Sequence, residues 1–276
     1  MSNNKGIITA LEKSELADIR SIQSHSKTYL KSLFVDEQNL YGGSVWTDCT
    51  IGIYDKDTLD VVEVVEGPLG TIFCLDSDKS YLFSGSGDSR VDIWKKTDWS
   101  LVGTISGQRH FILSLATDQD YIYAGGIDDC TNVFDRESFE QVASLEGHNS
   151  NILSLATDEN YVYSGSGELW WGGPGSPRPP EFESAVRVWD KKDWSCVHVL
   201  EGHTDNVNAI SVDKKYVYSI SDDASLRVYS KSDWNEVHRV QLPILRIDAF
   251  SVDEDSLYLG CSDGSIRTLG KKEIDG

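Results

Sequence analysis

The hydrophobic pattern of the chain is a short phrase that recurs along its whole length. Residues 158–166 show it most plainly, because Asp158 and polar neighbours precede Tyr161-Val162-Tyr163, a run of aromatic and β-branched residues. Asp favours tight turns, since its carboxylate accepts hydrogen bonds from backbone N–H groups just ahead of it, and the run that follows favours a strand. Because this run is apolar on both faces, the pattern predicts sheets that pack between neighbouring sheets.

The aspartate that begins the phrase occurs six times. The copies start at Asp36, Asp78, Asp118, Asp158, Asp213 and Asp253. Successive copies are about forty residues apart, except for one longer step after the fourth copy, and a fixed period of this size indicates a repeat architecture. Six copies in register favour one structural unit per copy over an ordinary two-sheet sandwich.

Each interior copy contains four runs of strand character. In the fifth copy they are residues 207–212, 216–221, 226–229 and 237–240. A four-stranded sheet that is apolar on both faces cannot bury them alone, so such sheets must stack in series, and a closed ring leaves no bare end. The sequence therefore predicts an all-β chain that forms a single domain over residues 1–276.

The two ends of the chain depart from the four-strand pattern. Residues 7–24 contain two strand-like runs, which match the second half of a repeat, while the last copy supplies only three strands. We expect the run near Ile19 to complete the last sheet as its outer strand and to close the ring. The predicted repeats are approximately 25–67, 68–107, 108–147, 148–202, 203–242 and 243–276, with the closing strand taken from 7–24.

Charge narrows the choice of partner. Acidic residues outnumber basic ones by 45 to 25, which gives a formal net charge of −20, and the acids are spread through every repeat. Nucleic acid is not expected as a partner, because phosphate binding needs clustered Lys and Arg. A basic protein partner would be attracted electrostatically, although the acidity also fits a role in solubility alone.

The cysteines and the N-terminal residues indicate the cellular compartment of the protein. The five cysteines are odd in number and show no C-x-x-C spacing, so neither a disulfide framework nor a zinc site is predicted, and a reducing compartment fits best. No apolar segment has the length of a membrane helix, and the N-terminus has no apolar core of a signal peptide. We expect a cytoplasmic protein that does not bind membranes.

Two blocks of residues carry a resemblance to a known family. They are Gly202-His203, Ser219, Asp223 and Leu226-Arg227-Val228-Tyr229 in one copy, and Gly147-His148, Ser164 and Val186-Arg187-Val188-Trp189-Asp190 in another. They resemble the repeat of the WD-repeat β-propeller family, which opens with Gly-His and ends its third strand in Trp-Asp. The resemblance covers residues 7–276. It implies a propeller of four-stranded antiparallel blades, with six blades from the six copies or seven as in most of the family.

Several positions depart from the family pattern. Pro68, Gln108 and Pro243 replace the histidine, and Trp189-Asp190 is the one literal Trp-Asp pair. The combination of His203, Ser219 and Asp223 contains the residue types of a nucleophilic triad. The resemblance instead implies a buried hydrogen-bond chain inside a blade. Its members would be His203, Ser219, Asp223 and Tyr229 in the fifth copy, and His148, Ser164 and Trp189 in the fourth, which we expect to lack the acid.

The fourth copy is longer because the turn between its second and third strands is expanded to residues 167–184. The Pro and Gly content of this loop excludes regular structure. In a propeller, such turns emerge on the same face as the connections between blades. Trp and Arg dominate binding hot spots, so this face is the predicted partner-binding surface, unless the tryptophans fold back into a groove between blades. The candidate residues are Trp46, Arg109, His110, Trp170, Trp171, Arg178 and Phe182.

These observations predict a non-catalytic scaffold that recruits a protein or peptide, basic or Pro-rich in character, as a monomer or as a subunit of a hetero-complex. No cofactor and no metal are expected. The first alternative is a purely structural subunit of a larger assembly. The second is a propeller enzyme that would use acids or histidines at the channel mouth, but no paired-acid or metal-ligand spacing supports it. Its candidates would be His110, His148, His203 and Glu168.

Overall fold

The computed structural model describes residues 7–11, 19–23, 30–45, 47–168, 183–242, 247–252, 256–261 and 266–271. The regular elements in these ranges are β-strands. They are β1 (Ile7–Leu11), β2 (Ile19–Gln23), β3 (Leu30–Val35), β4 (Asn39–Ser44), β5 (Thr50–Asp55), β6 (Val61–Glu66), β7 (Ile72–Ser77), β8 (Tyr81–Ser86), β9 (Val91–Lys95), β10 (Leu101–Ile105), β11 (Ile112–Thr117), β12 (Tyr121–Gly126), β13 (Cys130–Asp135), β14 (Gln141–Glu146), β15 (Asn151–Thr157), β16 (Tyr161–Gly167), β17 (Val186–Asp190), β18 (Cys196–Leu200), β19 (Val207–Val212), β20 (Tyr216–Ser221), β21 (Ser225–Ser230), β22 (Glu236–Gln241), β23 (Ile247–Val252), β24 (Ser256–Cys261) and β25 (Ile266–Gly270).

The strands form sheets in chain order. Five sheets have four strands each, namely β3 to β6, β7 to β10, β11 to β14, β15 to β18 and β19 to β22. Strands β23 to β25 form a three-stranded sheet, and β1 and β2 form a two-stranded one. The predicted all-β class and the four antiparallel strands of each interior copy are confirmed.

The chain divides into two compact units, residues 1–115 and residues 116–276. In the first unit, Ile53 of β5 and Leu82 of β8 are fully buried in one apolar cluster with Ile72 of β7. In the second unit, Val188 of β17 and Val217 of β20 lie in another such cluster. Each cluster combines strands from neighbouring sheets, which is how sheets with two apolar faces bury both of them.

Glycines in the second strands permit close approach between sheets. A Cβ atom at Gly43 would lie 2.3 Å from Ser32 Oγ and 2.6 Å from Ile72 Cγ2, so no larger residue fits there. Beside it, the Ser32 hydroxyl donates a hydrogen bond to the carbonyl of Ile72 in the next sheet, at 2.8 Å. In the second unit, the Ser154 hydroxyl bonds the Val207 carbonyl in the same way, at 2.9 Å.

The expected closing strand is not confirmed. Ile19 pairs with Leu11, and Gln23 pairs with Ile7, so β2 forms an antiparallel hairpin with β1. This pairing uses one edge of β2, and among the described residues no pairing of β2 with the last sheet is seen. A hairpin between adjacent segments needs only a short loop to close, which costs less chain entropy than joining distant ends of the sequence.

The turn between the third and fourth strands has an unusual backbone. Trp99, Phe139, Trp194 and Trp234 all have φ between +57° and +62°, a left-handed conformation that side-chain-bearing residues rarely adopt. Trp194 packs edge-on against Tyr121 of the preceding sheet, with ring centroids 5.1 Å apart. The Trp194 ring therefore covers the gap between two sheets, and its packing offsets the backbone strain.

Candidate functional site

The histidine, serine and aspartate of the fifth copy lie together at one end of their sheet. His203 precedes β19, Ser219 is in β20, and Asp223 is in the turn before β21. The Nε2 atom of His203 lies 2.8 Å from Ser219 Oγ, and its Nδ1 atom lies 2.9 Å from Asp223 Oδ2. Burial lowers the pKa of His203 despite the nearby carboxylate of Asp223. Burial alone would raise the pKa of Asp223, but hydrogen bonds from Ser225 and His203 lower it to about 2.

This arrangement has the residue types of a catalytic triad, but its serine is not accessible to a substrate. Ser219 is 0% exposed, so its hydroxyl cannot reach a substrate in this conformation. A buried hydroxyl and imidazole need hydrogen-bond partners, and each satisfies the other here. The Tyr229 hydroxyl donates to the Glu201 carbonyl at 3.1 Å. Burial raises the pKa of Tyr229 to about 12, and a hydrogen bond with Ser219 acts in the opposite direction, so the tyrosine also contacts the serine.

The fourth copy has a complete chain of hydrogen bonds. Trp189 Nε1 donates to Ser164 Oγ at 2.8 Å, and His148 Nε2 lies 2.7 Å from the same oxygen. The expectation that this copy lacks an acid was wrong. Glu183, which follows the inserted loop, places Oε2 2.7 Å from His148 Nδ1. Its longer side chain fills the position of the turn aspartate, a substitution that the insertion hid in the sequence.

A second polar network, which the sequence interpretation missed, joins neighbouring sheets. In each case a lysine from the turn between the third and fourth strands, or from the end of the third strand in the last sheet, donates to the aspartate that begins the preceding copy. The pairs are Lys96 with Asp36 and Lys191 with Asp118, each at 2.5 Å, Lys231 with Asp158 at 2.6 Å, and Lys271 with Asp213 at 2.5 Å.

A tyrosine completes each of these contacts. The Tyr163 hydroxyl donates to Asp158 Oδ2 at 2.8 Å, and the Lys231 ammonium lies 5.3 Å from the Tyr163 ring centroid. Burial alone would raise the pKa of Asp158, but hydrogen bonds from Lys231 and Tyr163 outweigh it and hold the pKa below its ordinary value. The carboxylate therefore stays charged. A basic residue at a fixed place in each copy was the signal that could have revealed this network.

The predicted partner-binding face is only partly within the described residues. Trp46, Trp170, Trp171, Arg178 and Phe182 lie outside them. Arg109 and His110 are exposed in the connection between β10 and β11. The structure therefore describes two of the seven candidate residues.

Both ends of the 167–184 loop are fixed at one end of the fourth sheet. The backbone N–H of Glu168 donates to Asn206 Oδ1 at 2.7 Å, and the N–H of Glu183 donates to Asn149 Oδ1 at 2.8 Å. Asn149 and Asn206 belong to the connections that lead into β15 and β19. The loop thus leaves and returns on the face of the second unit that carries these connections.

The described residues contain neither a metal-ligand cluster nor a membrane-spanning helix. No group of three or more His, Cys, Asp or Glu side chains in that part of the chain is arranged to hold a metal ion. Within the same residues, no helix is long and apolar enough for a membrane span.

Comparisons with known proteins agree with the geometry. The family model "WD domain, G-beta repeat" matches residues 60–95, 139–172 and 194–230. A search of curated protein sequences found no match. The WD-repeat resemblance is confirmed by these three segments together with the structures below.

Solved structures with a similar fold cover nearly all of the chain. The WD40 β-propeller domain of Doa1 is 18% identical with a TM-score of 0.78, over 96% of this chain and 86% of that one. A chain of the mitotic checkpoint complex is 17% identical with a TM-score of 0.79, over 96% and 84%. The computationally designed Ika8 protein is 21% identical with a TM-score of 0.75, over 96% and 78%. At these identities the likeness concerns the fold alone, which is that of WD40 β-propellers.

Proposed function

We propose that this protein is a non-catalytic scaffold that recruits a protein or peptide through the face bearing the 167–184 loop. The main supporting observation is the attachment of both loop ends to the connections that contain Asn149 and Asn206. These bonds hold the base of a loop rich in Trp and Arg at one face, and such residues dominate binding hot spots. WD40 propellers generally bind proteins, which supports the same function.

The absence of catalysis is part of the proposal. Two sets of triad-type residues occur among the described residues, and both have a buried serine that is engaged by a histidine, Ser219 by His203 and Ser164 by His148. The WD40 family is generally non-catalytic. Of the other two enzyme candidates, Glu168 donates to Asn206 through its backbone N–H, and His110 is exposed in the connection between β10 and β11.

The partner is proposed to be basic or Pro-rich. The net charge of −20 produces a field that attracts cations over a distance of about 8 Å at physiological salt, and it repels nucleic acid. We propose that the protein acts as a monomer or as a subunit of a hetero-complex in a reducing, cytoplasmic compartment. Cys49, Cys74, Cys130 and Cys196 are thiols and not disulfides, which is compatible with that compartment.

The ring itself also belongs to the proposal. Six sheets would close a propeller if β2 pairs with β25 along the edge that faces away from β1, so that the N-terminal hairpin ties the two ends of the chain. A seven-bladed ring is the alternative, in which β1 and β2 serve as the third and fourth strands of a further blade. The hairpin pairing of β1 with β2 resembles that of β5 with β6, which is compatible with this alternative.

A pull-down with a matched control tests the recruitment. The wild type, a Trp170→Ala/Trp171→Ala variant and the control Val142→Ala, an exposed residue of β14, would be used as baits. Captured proteins would be quantified by mass spectrometry, and the enriched partner would then be titrated in purified form. We expect the double variant to lose the partner at an unchanged melting temperature, while the control retains it. Equal binding by all three proteins would exclude the loop as the contact.

A further inference from the structure

We infer that a second surface, on the first unit, binds an extended peptide segment in which an apolar or aromatic side chain stands within two residues of a carboxylate. This surface, the Phe-pair surface, consists of Lys31, Leu69, Phe73, Arg109 and Phe111. It shares Arg109 with the predicted partner-binding residues but contains no residue of the 167–184 loop, and it favours a ligand of different chemistry.

Two stacked aromatic rings form its centre. Phe73 is in β7 and Phe111 immediately precedes β11, and their ring centroids are 5.8 Å apart with the planes inclined by 22°. Both side chains are half-buried. The turn after β8 supports the pair, since a Cβ atom at Gly87 would lie 3.2 Å from Phe73 Cε2. The rings are thus held in position and keep part of their surface open to solvent.

The repeat architecture does not require aromatic residues at these places. In the sheet that begins with β19, Asn206 takes the position of Phe111 and Asn208 takes that of Phe73. Both asparagines form hydrogen bonds inside the fold, Asn206 with Glu168 and Asn208 with Asp222. A polar structural role at the equivalent places shows that the propeller can be built without a Phe pair.

Two cations belong to this surface, one beside the Phe73 ring and one close in sequence to Phe111. Lys31 Nζ is 5.9 Å from the Phe73 ring centroid, and Arg109 is two residues before Phe111. Both are exposed, and among the described residues neither has a carboxylate partner. By contrast, Lys96 of the same unit is bound to Asp36. Lys31 and Arg109 therefore give this surface two cations that can complement a carboxylate.

An exposed leucine extends the apolar area. Leu69 is 87% exposed, and its backbone N–H donates to Asp88 Oδ2 at 3.0 Å, which fixes its position. The charge of Asp88 is balanced by Arg90, whose Nε donates to the same oxygen. Since Asp88 adjoins Gly87, Leu69 is connected to the Phe pair through one turn. A fixed, exposed apolar residue next to aromatic rings is typical of a contact surface.

The whole-chain charge selects between ligand classes. Aromatic rings with Lys and Arg also form stacking platforms for single-stranded nucleic acid. A polyanion, however, would meet the field of a protein with a net charge of −20, whereas a single carboxylate needs only the two local cations. A peptide with one acidic residue beside an apolar one is therefore the favoured ligand.

An array of immobilised random hexapeptides, probed with the whole protein, tests this inference. We expect enrichment of sequences with Phe, Tyr, Trp or Leu within two positions of Asp or Glu. For an enriched peptide, Lys31→Glu should weaken binding by about fivefold or more, because it reverses one charge contact. Lys79→Glu is the matched control, since Lys79 is exposed beyond the opposite end of β7, and it should bind like the wild type.

Two other variants keep the test decisive. Phe73→Ala should lose the aromatic preference, and its melting curve reports whether the fold is retained. If Phe73→Ala unfolds, the peptide binding of Lys31→Glu and Arg109→Glu tests the inference instead. Equal enrichment by the wild type and Lys31→Glu, a preference for basic peptides, or tighter binding of an oligo-dT probe would each overturn the inference. Binding that depends on Trp170 and Trp171 but not on Lys31 would leave the scaffold function intact and remove this surface alone.

Discussion

Lys191 Nζ lies 2.5 Å from Asp118 Oδ2, although the two residues are 73 positions apart in the sequence. The lysine is in the turn after β17, the aspartate immediately follows β11, and the contact joins two neighbouring sheets. The same lysine also donates to the Asp158 carbonyl in its own sheet. One side chain therefore bridges two turns. Lys231 is the equivalent residue of the next sheet, and it donates to the Asp158 carboxylate and to the Asp213 carbonyl.

Replacing this lysine should destabilise the protein. In Lys191→Met, the partly buried Asp118 carboxylate loses its cation, and we expect the free energy of unfolding to fall by about 1–3 kcal/mol. Urea unfolding followed by tryptophan fluorescence measures the change. Lys192→Met is the control, because Lys192 is the exposed neighbour in the same turn, and it should change stability by less than about 0.5 kcal/mol. Similar losses in the two variants would show that the ion pair adds nothing.

The same network predicts sensitivity to acid. The folded-state pKa of Asp158 is below the ordinary value of an aspartate, because hydrogen bonds from Lys231 and Tyr163 outweigh burial, so the unfolded chain binds more protons as the pH falls. Its contribution to stability is fully present above a pH of about 4 and is lost as the pH falls further. Asp158→Asn should be less stable at neutral pH and should show a shallower decline in stability below pH 4.

Urea unfolding at several pH values measures this slope. Asp120→Asn, which alters an exposed carboxylate, is the control and should keep the wild-type slope. An Asp158→Asn protein with the wild-type slope would contradict the assignment of the acid sensitivity to this carboxylate.

The sequence could predict the sheets but not all of their polar connections. The phrase around Asp158 predicted strands correctly, since local turn chemistry and apolar runs set them. The sequence predicted Asp158 as a turn residue but not as the partner of Lys231, because Lys231 is far away in sequence and the pairing depends on how the sheets stack. Glu183 was missed for a similar reason, since the insertion separated it from the rest of its copy. The stacking of Phe73 on Phe111 likewise arises from the approach of two sheets.

The buried serine of the fifth copy should matter for stability and not for binding. Ser219→Ala leaves His203 Nε2 without its hydroxyl partner, and we expect a loss of about 1–3 kcal/mol in the free energy of unfolding. Capture of the partner by the 167–184 loop should be unchanged. Ser80→Ala, at an exposed turn position, serves as the control for thermal and urea unfolding. A stable Ser219→Ala protein that fails to bind would instead favour a functional role for the serine.

The left-handed turn residues allow the cost of strain to be separated from the gain of packing. Trp194 has a φ of 62° and packs on Tyr121. Trp194→Ala and Trp194→Gly both remove the ring, but glycine adopts this φ at little cost. We expect the glycine variant to be more stable than the alanine variant by about 1 kcal/mol. Equal stabilities in urea would mean that the turn relaxes when the ring is lost.

Removing the N-terminal hairpin tests whether it closes the ring. If β2 ties the two ends of the propeller, deletion of residues 1–24 exposes a sheet edge and apolar surface, and the melting temperature should fall by roughly 5–10 °C. Deletion of residues 1–5 leaves β1 and β2 intact and is the control. The two deletions should differ in calorimetry and in their resistance to proteolysis, because an open ring frays from its ends. An unchanged melt after the longer deletion would rule out closure by this segment, since a strand that holds the ring together cannot be removed without cost.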